Sequence, residues 1–188
     1  MEHLVSDQWD EQLWLRAEPI YEEAFPEHGR KSRSIVRRML DRGLAELHVW
    51  QDRGAAVAMA ITAIDRSRNL LIIDYIAVSF ERRGQGLGLA CLNDIRAWAR
   101  NSRGCKGIVI EVEAERTEEN EKRIRFWQKA GFVLTDYVRS YIWVPETYKA
   151  MYLKLDESRP VPPPDGKTLF KSIINYHEKA YRNRGETK

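Results

Sequence analysis

The chain has 188 residues, 43% of them hydrophobic and 31% charged, with a formal net charge of +3. This length and apolar content suffice for one main domain with a sizeable core. The small net charge, with no basic run interleaved with aromatics, argues against nucleic acid as a partner. Because there is no apolar run of signal-peptide type and no stretch near about eighteen uninterrupted apolar residues, we expect no membrane partner and a cytoplasmic protein.

The first part of the chain is predicted to be helical. Apolar residues over about 9–24 recur at helical spacing. Ser6 or Asp7 can cap this helix, and Pro19 is expected to kink or interrupt it. After a loop, a second helix is predicted over about 34–41.

Strands and helices alternate in the middle of the chain. Residues 44–51 and 55–65 read as two strands around the turn Asp52-Arg53-Gly54, and an apolar run over 70–78 reads as a third. The remaining predicted elements are a long helix after residue 86, a strand over 108–113, a helix over about 117–129, and strands over 132–144 and 148–155. This order predicts an α/β fold with a mixed sheet and helices packed on both faces.

A proline run over 160–164 divides the chain. We expect a domain over 1–156, followed over 157–188 by a proline-containing linker and a helical tail. Apolar and aromatic residues of the tail recur at helical spacing, so one terminal helix is predicted. They are Leu169, Ile173, Ile174, His177 and Tyr181.

The two cysteines, Cys91 and Cys105, are expected to be reduced and structural. Two such residues make neither a disulfide framework nor a metal cluster, and no metal is predicted.

The most informative segment lies between the strand over 70–78 and the long helix, and reads Arg83-Gly84-Gln85-Gly86-Leu87-Gly88. Glycines let the backbone approach a ligand closely, and the first amides of a helix have no internal partner, so the segment predicts a pyrophosphate site. The chain contains no P-loop. A dinucleotide fingerprint would need a third glycine where Leu89 or Cys91 stands.

The Arg-x-x-Gly-x-Gly pattern resembles the signature of the GNAT superfamily of acyl-coenzyme A-dependent acyltransferases. In that family the motif follows a strand ending in Ala-Val, as Ala77-Val78 does here, and opens a long helix. A second motif, over 120–132, resembles the family's asparagine-containing helix closed by Gly-Phe. The resemblance covers roughly residues 7–155. It implies a mostly antiparallel central sheet and an N-acetyltransferase that moves an acetyl group from acetyl-coenzyme A to an amine acceptor.

Acetyl-coenzyme A would be held mainly by the glycine segment. Backbone amides from Gln85 to Leu89 would bind the pyrophosphate, with charge from Arg82 or Arg83. The resemblance implies that the pantetheine arm pairs with the strand end and that Asn120 contacts it; the alternative for Asn120 is a helix N-cap. The residues expected to bind the donor are Ile76, Ala77, Val78, Arg82, Arg83, Gly84, Gln85, Gly86, Leu87, Gly88, Leu89, Asn120 and Trp127.

Two acids are candidates for the general base. An amine with a pKa near ~10 must lose a proton before it attacks a thioester. Asp74 and Glu111 each interrupt an apolar strand, where an unpaired charge is unfavourable. Glu111 occupies the position at which several family members that acetylate amino groups carry their base. For either acid the alternative is a structural ion pair with an arginine.

Strand alternation predicts which face each acid occupies. Asp74 is expected to share a face with Ile72 and Ile76. Glu111 is expected to share one with Val109 and Glu113.

The general acid is where the chain departs from the family. Many members have a tyrosine at the position of Trp127, where it protonates the departing thiolate, and indole cannot do so. A thiol with a pKa near ~8.5 leaves tolerably unaided. Tyr137 or Tyr141 on the next strand could substitute, so Tyr141 joins the candidate catalytic residues.

Trp127 also favours a rival hypothesis, a coenzyme A-binding regulatory or partner-binding domain without catalysis. A tail that docks a partner or a second subunit, which would give a homodimer, is a further hypothesis. The resemblance places acceptor specificity in residues 25–34 and 137–148. These segments contain both signs of charge and several aromatic residues, so their composition excludes few classes of acceptor.

Overall fold

A computed structural model describes residues 1–142, 144–155 and 164–182 of the chain. The described part contains five α-helices: α1 (Glu11–Ala24), α2 (Arg33–Asp41), α3 (Leu87–Asn101), α4 (Glu118–Lys129) and α5 (Gly166–Tyr181). Its strands are β1 (Glu2–Ser6), β2 (Glu46–Asp52), β3 (Ala55–Asp65), β4 (Leu70–Val78), β5 (Gly107–Glu113), β6 (Val133–Ser140) and β7 (Thr147–Lys154). The predicted linker lies outside the described residues, except for Pro164.

The strands form one sheet in the order β1-β2-β3-β4-β5-β7-β6. Its strand pairs are antiparallel except β4 with β5, so the predicted mixed and mostly antiparallel sheet is confirmed. Helices cover both faces, again as predicted. Helices α1, α2 and α5 enclose a first core on one face, and α3 and α4 enclose a second core on the other.

Several predicted boundaries near the N-terminus are wrong. Strand β1 was not predicted; it pairs with the edge of β2. Helix α1 is capped by Asp10, whose side chain accepts from the Leu13 amide, and not by Ser6 or Asp7. The helix runs through Pro19 without interruption, because burial of its apolar face outweighs the ~3 kcal/mol penalty of an internal proline.

The hairpin turn between β2 and β3 is confirmed. Arg53 and Gly54 have φ angles of 51° and 82°, which the tight turn requires. Strand β6 is shorter than predicted, since it ends at Ser140 and not at residue 144.

A β-bulge at Asp74 reverses the alternation of β4. Ile61 lies opposite Tyr75 and Thr62 lies opposite Ile73, which leaves Asp74 as the extra residue. As a result, Ile72 belongs to the first core whereas Ile76 packs against the second. The prediction that Asp74 shares a face with both is therefore wrong, because alternation assumes an unbroken ladder.

Strands β4 and β5 pair only at their beginnings. Leu70, Leu71 and Ile72 lie opposite Gly107, Ile108 and Val109, and the described ladder ends there. β4 stays paired with β3 as far as Val78, and β5 stays paired with β7 as far as Glu113. The two strands therefore diverge, and the sheet contains a gap between the ends of β4 and β5.

The predicted terminal helix is present as α5 and is part of the first core. Its buried residues pack on the sheet; they include Leu169, Phe170, Ile173 and Tyr176. The two cysteines are free and buried, and burial raises the pKa of Cys91 to about 12 and that of Cys105 to about 11. Within the described ranges, no helix is both long and apolar enough to cross a bilayer.

A buried polar cluster lies between β1, β2 and β3. The His48 side chain is fully buried, with its Nδ1 3.0 Å from His3 Nε2 and its Nε2 2.9 Å from Thr62 Oγ1. Burial, followed by the charges of His3 and Arg103, lowers the pKa of His48 from 6.5 to about 3. Below about pH 6.5 the unfolded chain binds a proton at this site that the folded chain does not, so stability falls as the pH drops towards 3.

We expect this histidine to account for part of the acid sensitivity of the fold. Between about pH 7 and about pH 4.5 it should lower the free energy of unfolding by ~3 kcal/mol. His48→Gln should abolish that part of the loss in urea titrations at the two pH values. His28→Gln, at an exposed histidine, is the matched control. Equal losses in the wild type and in His48→Gln would contradict the assignment.

Candidate functional site

The glycine segment forms the entrance to α3. Gly84 and Gly86 have φ angles of +76° and +77°, in the left-handed region that favours glycine. Gly86 is the N-cap of α3 and provides no side-chain cap, and the segment around it is exposed. The first-turn amides have no acceptor within the helix, so they can bind an anion. This geometry fits the predicted pyrophosphate site.

Arg83, which begins the segment, and Arg82, which precedes it, have different partners. Arg83 Nε donates to the Val78 carbonyl at 3.1 Å, and the guanidinium lies over the Phe80 ring. Arg82 instead pairs with Asp52 at 2.8 Å. Arg83 thus ties the segment to the end of β4, and its guanidinium also lies 3.9 Å from Glu23. Its ion pair is longer than that of Arg82 and its side chain is more exposed, 48% against 37%, so Arg83 is better placed than Arg82 to meet a phosphate.

The strand end at Ile76–Val78 borders the gap between β4 and β5. Its other edge is paired with β3, so the edge that faces the gap is the one not used by the sheet. A chain of amides such as pantetheine can pair with such an edge. The residues around the gap therefore fit acetyl-coenzyme A.

Helix α4 places the residues of the second motif. Its N-cap is Thr117, whose Oγ1 accepts from the Asn120 amide, so the alternative that Asn120 is the cap is wrong. The Asn120 side chain is buried and donates to the Glu115 carbonyl at 3.1 Å. Trp127 is 6% exposed and packs edge-on against Phe132, so it belongs to the second core.

Asp74 lies in a buried ion pair. Its two oxygens are 2.9 and 2.8 Å from Lys31 Nζ, and the side chains of Asp74 and Lys31 are 5% and 2% exposed. Tyr176 of α5 also donates to Asp74, at 2.6 Å. The ammonium lies 5.0 to 5.7 Å from three tyrosine rings, Tyr75, Tyr176 and Tyr181. The ion-pair alternative thus holds for Asp74, with a lysine as the partner and not an arginine.

Glu111 lies on the same side of the sheet and is more accessible. It shares the first-core face with Val109, as predicted, and its side chain is 24% exposed. Tyr141 donates to its Oε2 at 2.8 Å, and His177 Nε2 lies 3.1 Å from its Oε1. Lys31 Nζ is 3.4 Å from the other ring nitrogen of His177. One chain of contacts therefore connects Tyr141, Glu111, His177, Lys31 and Asp74; we call it the polar chain.

The tyrosines of this region are held in the neutral form. Burial first, and then the charge of Glu111 and the hydrogen bond to it, raise the pKa of Tyr141 above 10. Burial and Asp74 do the same for Tyr176. Each hydroxyl is therefore a hydrogen-bond donor to a carboxylate. The other candidate tyrosine, Tyr137, packs against Phe170 of α5 and has no part in the polar chain.

Three members of this region were missed by sequence reasoning: Lys31, Tyr176 and His177. The stripe of α5 that includes His177 was recognised only as an apolar face, and Lys31 stands in a loop without a motif. The available signal was polar residues within that otherwise apolar stripe. Their partners are distant in the chain, so spacing does not reveal them.

A family model for the acetyltransferase (GNAT) family matches residues 8–132, which is most of the described chain. Together with the sheet and the glycine segment, this match defines the class of protein: an acyltransferase with the GNAT fold. The chain belongs to the GNAT family. No curated protein matches the sequence.

Solved structures agree with the fold. A protein from Bacteroides thetaiotaomicron assigned to the GNAT family is 20% identical, covers 96% of this chain and 98% of its own, and has a TM-score of 0.74. The ribosomal-protein-S18-alanine N-acetyltransferase from Escherichia coli is also 20% identical, covers 87% of this chain and 100% of its own, and has a TM-score of 0.64. A Vibrio cholerae spermidine N-acetyltransferase chimera is 13% identical, covers 81% and 96%, and also has a TM-score of 0.64.

Gly86→Ala should weaken donor binding. An alanine in the left-handed conformation is strained by ~1–2 kcal/mol, and relief of the strain would turn the first amides of α3 away from the anion. We expect the Kd for coenzyme A, measured by calorimetry, to rise about tenfold. Gly104→Ala is the control, because Gly104 has a φ of +64° in the loop after α3. A Kd unchanged in Gly86→Ala would argue against the site.

The buried ion pair should show strong coupling. Asp74→Asn leaves the Lys31 ammonium buried without a counter-charge, so the free energy of unfolding should fall by ~3 kcal/mol or more. The double variant Lys31→Met with Asp74→Asn should recover much of that loss, since both charges are then absent. Urea unfolding of the single and double variants measures the coupling. Additive losses would show that the two residues do not interact.

Proposed function

We propose that the protein transfers an acetyl group from acetyl-coenzyme A to an amine, with Glu111 as general base. The observation that carries the proposal is the position of Glu111. It is a partly exposed carboxylate on β5, the strand that borders the gap opposite the donor-binding edge of β4. Hydrogen bonds fix both of its oxygens, and a base must be oriented as well as accessible.

Asp74 is less suited to the role of base. Both of its oxygens bind Lys31, one also accepts from Tyr176, and its side chain is nearly inaccessible. Proton uptake there would break a buried ion pair and leave Lys31 uncompensated. We therefore assign Asp74 to holding Lys31.

The donor would be held by the first amides of α3, by Arg83 and by the strand end Ile76–Val78. The acceptor enters as an ammonium ion and loses a proton to Glu111, directly or through water. Its nitrogen then attacks the thioester carbonyl and a carbon–nitrogen bond forms. The nitrogen gives up its second proton to water, and the carbon–sulfur bond breaks. The coenzyme A thiolate leaves with the bonding electron pair.

No side chain of the site is assigned to protonate that thiolate. Trp127 is in the core, and Tyr141 has a pKa raised above 10. The thiolate of a thiol with a pKa near ~8.5 is a weaker base than the tyrosinate of Tyr141. Proton transfer from the Tyr141 hydroxyl to the departing thiolate would therefore be unfavourable. We propose that the thiolate departs unaided and that Tyr141 orients Glu111.

Carboxylates near the site favour a cationic acceptor. Burial, Glu146, Glu111 and two further glutamates, Glu113 and Glu115, raise the pKa of Tyr148 to about 12. Their negative potential would attract an amine in its charged form. Two of the similar structures are named for their acceptors, which are spermidine in one and an alanine of a ribosomal protein in the other. The acceptor screen should therefore include a polyamine and a peptide that begins with alanine.

Glu111→Gln tests the proposed base. We expect the rate of thiol release with the best acceptor to fall ~100-fold or more, since a general base contributes ~10²–10⁴. The Kd for acetyl-coenzyme A should not change, because Glu111 is not assigned to donor binding.

Glu121→Gln is the control, since Glu121 lies on the exposed side of α4 and pairs with Arg125. A Glu111→Gln variant as active as the wild type would refute the assignment. Tight donor binding without thiol release for any amine would instead support the binding-only domain.

A further inference from the structure

His177 occupies the centre of the polar chain, although it comes from the C-terminal helix. Its ring lies between Glu111 Oε1, at 3.1 Å from Nε2, and Lys31 Nζ, at 3.4 Å from Nδ1. We propose that His177 is a positioning residue for Glu111, so that α5 completes the active site. This inference rests on the proposed function, because it makes the base depend on His177.

The neighbours of the ring select one tautomer. An ammonium group has only donors, so His177 Nδ1 must accept from Lys31. The proton of the neutral ring is then on Nε2, where it is donated to Glu111. Asp74 binds Lys31 Nζ and so holds the ammonium group in place. The buried ion pair therefore determines which ring nitrogen of His177 accepts from Lys31 and which donates to Glu111.

Helix α5 is docked firmly enough to position a side chain. Ser172 donates to the buried Asp65 at 2.6 Å. Arg38 of α2 and Arg42, the C-cap of that helix, donate to carbonyls in the last turn of α5, at Ala180 and Lys179. At the other end, Gly166 lies so close to Thr135 of β6 that a Cβ atom would collide with its side chain. The helix is thus fixed at both ends and at its middle.

The effect on Glu111 is orientation. Glu111 Oε2 accepts a hydrogen bond from Tyr141 and Oε1 accepts one from His177, so both carboxylate oxygens are held in fixed directions. The charged and titratable groups in contact with the His177 ring are Glu111 from β5, Lys31 from the loop before α2, and Tyr141 and Tyr176 from the two remaining sides.

Two substitutions separate positioning from packing. His177→Leu fills the space without a donor, and His177→Gln keeps an N–H that can reach Glu111. We expect kcat to fall about tenfold to a hundredfold in His177→Leu and to recover most of that loss in His177→Gln. The Kd for acetyl-coenzyme A should be the same in all forms.

Lys171→Gln, on the exposed side of α5, is the matched control and should match the wild type. A purely structural role would lower kcat equally in both His177 variants, which would overturn the proposal.

Nitrogen NMR of the His177 ring provides a test that does not need turnover. The neutral tautomer should carry its proton on Nε2, and Lys31→Met should weaken that preference. A proton on Nδ1 in the wild type would refute the inference even if the protein is an active acetyltransferase. Conversely, the expected tautomer in a protein that acetylates no amine would refute the proposed function and leave the geometry of His177 intact.

Discussion

The divergence of β4 from β5 is the constraint on which the site depends. The two strands are parallel and pair over only three residues, and each is then held by its antiparallel neighbour on the far side. A gap of this kind would collapse if either strand were free to move. It leaves the edge of β4 at Ile76–Val78 outside the strand pairing of the sheet, and it opens between the N-terminal end of α3 and the first-core face, where Glu111 lies.

The first-core face of the gap can contain buried charged side chains because these side chains pair with one another. Lys31 and Asp74 are both nearly inaccessible, and either alone would be strongly destabilising. Together, with Tyr176 and the surrounding rings, they form a fixed charged group against which His177 is oriented. Asp74 shares the first-core side of the sheet with Ile72, and the bulge at Asp74 places Tyr75 on that side as well.

The C-terminal helix links stability to chemistry. Its apolar residues close the first core, and its Tyr176 and His177 contact the two strand acids, Asp74 and Glu111. Removal of the chain after residue 156 would therefore expose core residues and remove His177 from the polar chain. A tail that only docks a partner could be removed without either effect. The predicted division into a domain over 1–156 and a tail remains a prediction, but in space α5 packs against α2 and the sheet.

Sequence alone determined the class of fold, most element positions, the glycine segment and the two strand acids, because these depend on periodicity and on motifs short enough to read locally. It missed β1, the bulge at Asp74, and the partners of both acids. Each of these depends on residues far apart in the chain: Lys31 meets Asp74, and His177 meets Glu111, only after β4, β5 and α5 have packed. Tertiary structure therefore decided which acid is buried in an ion pair and which is accessible, since burial and pairing are properties of the packed molecule.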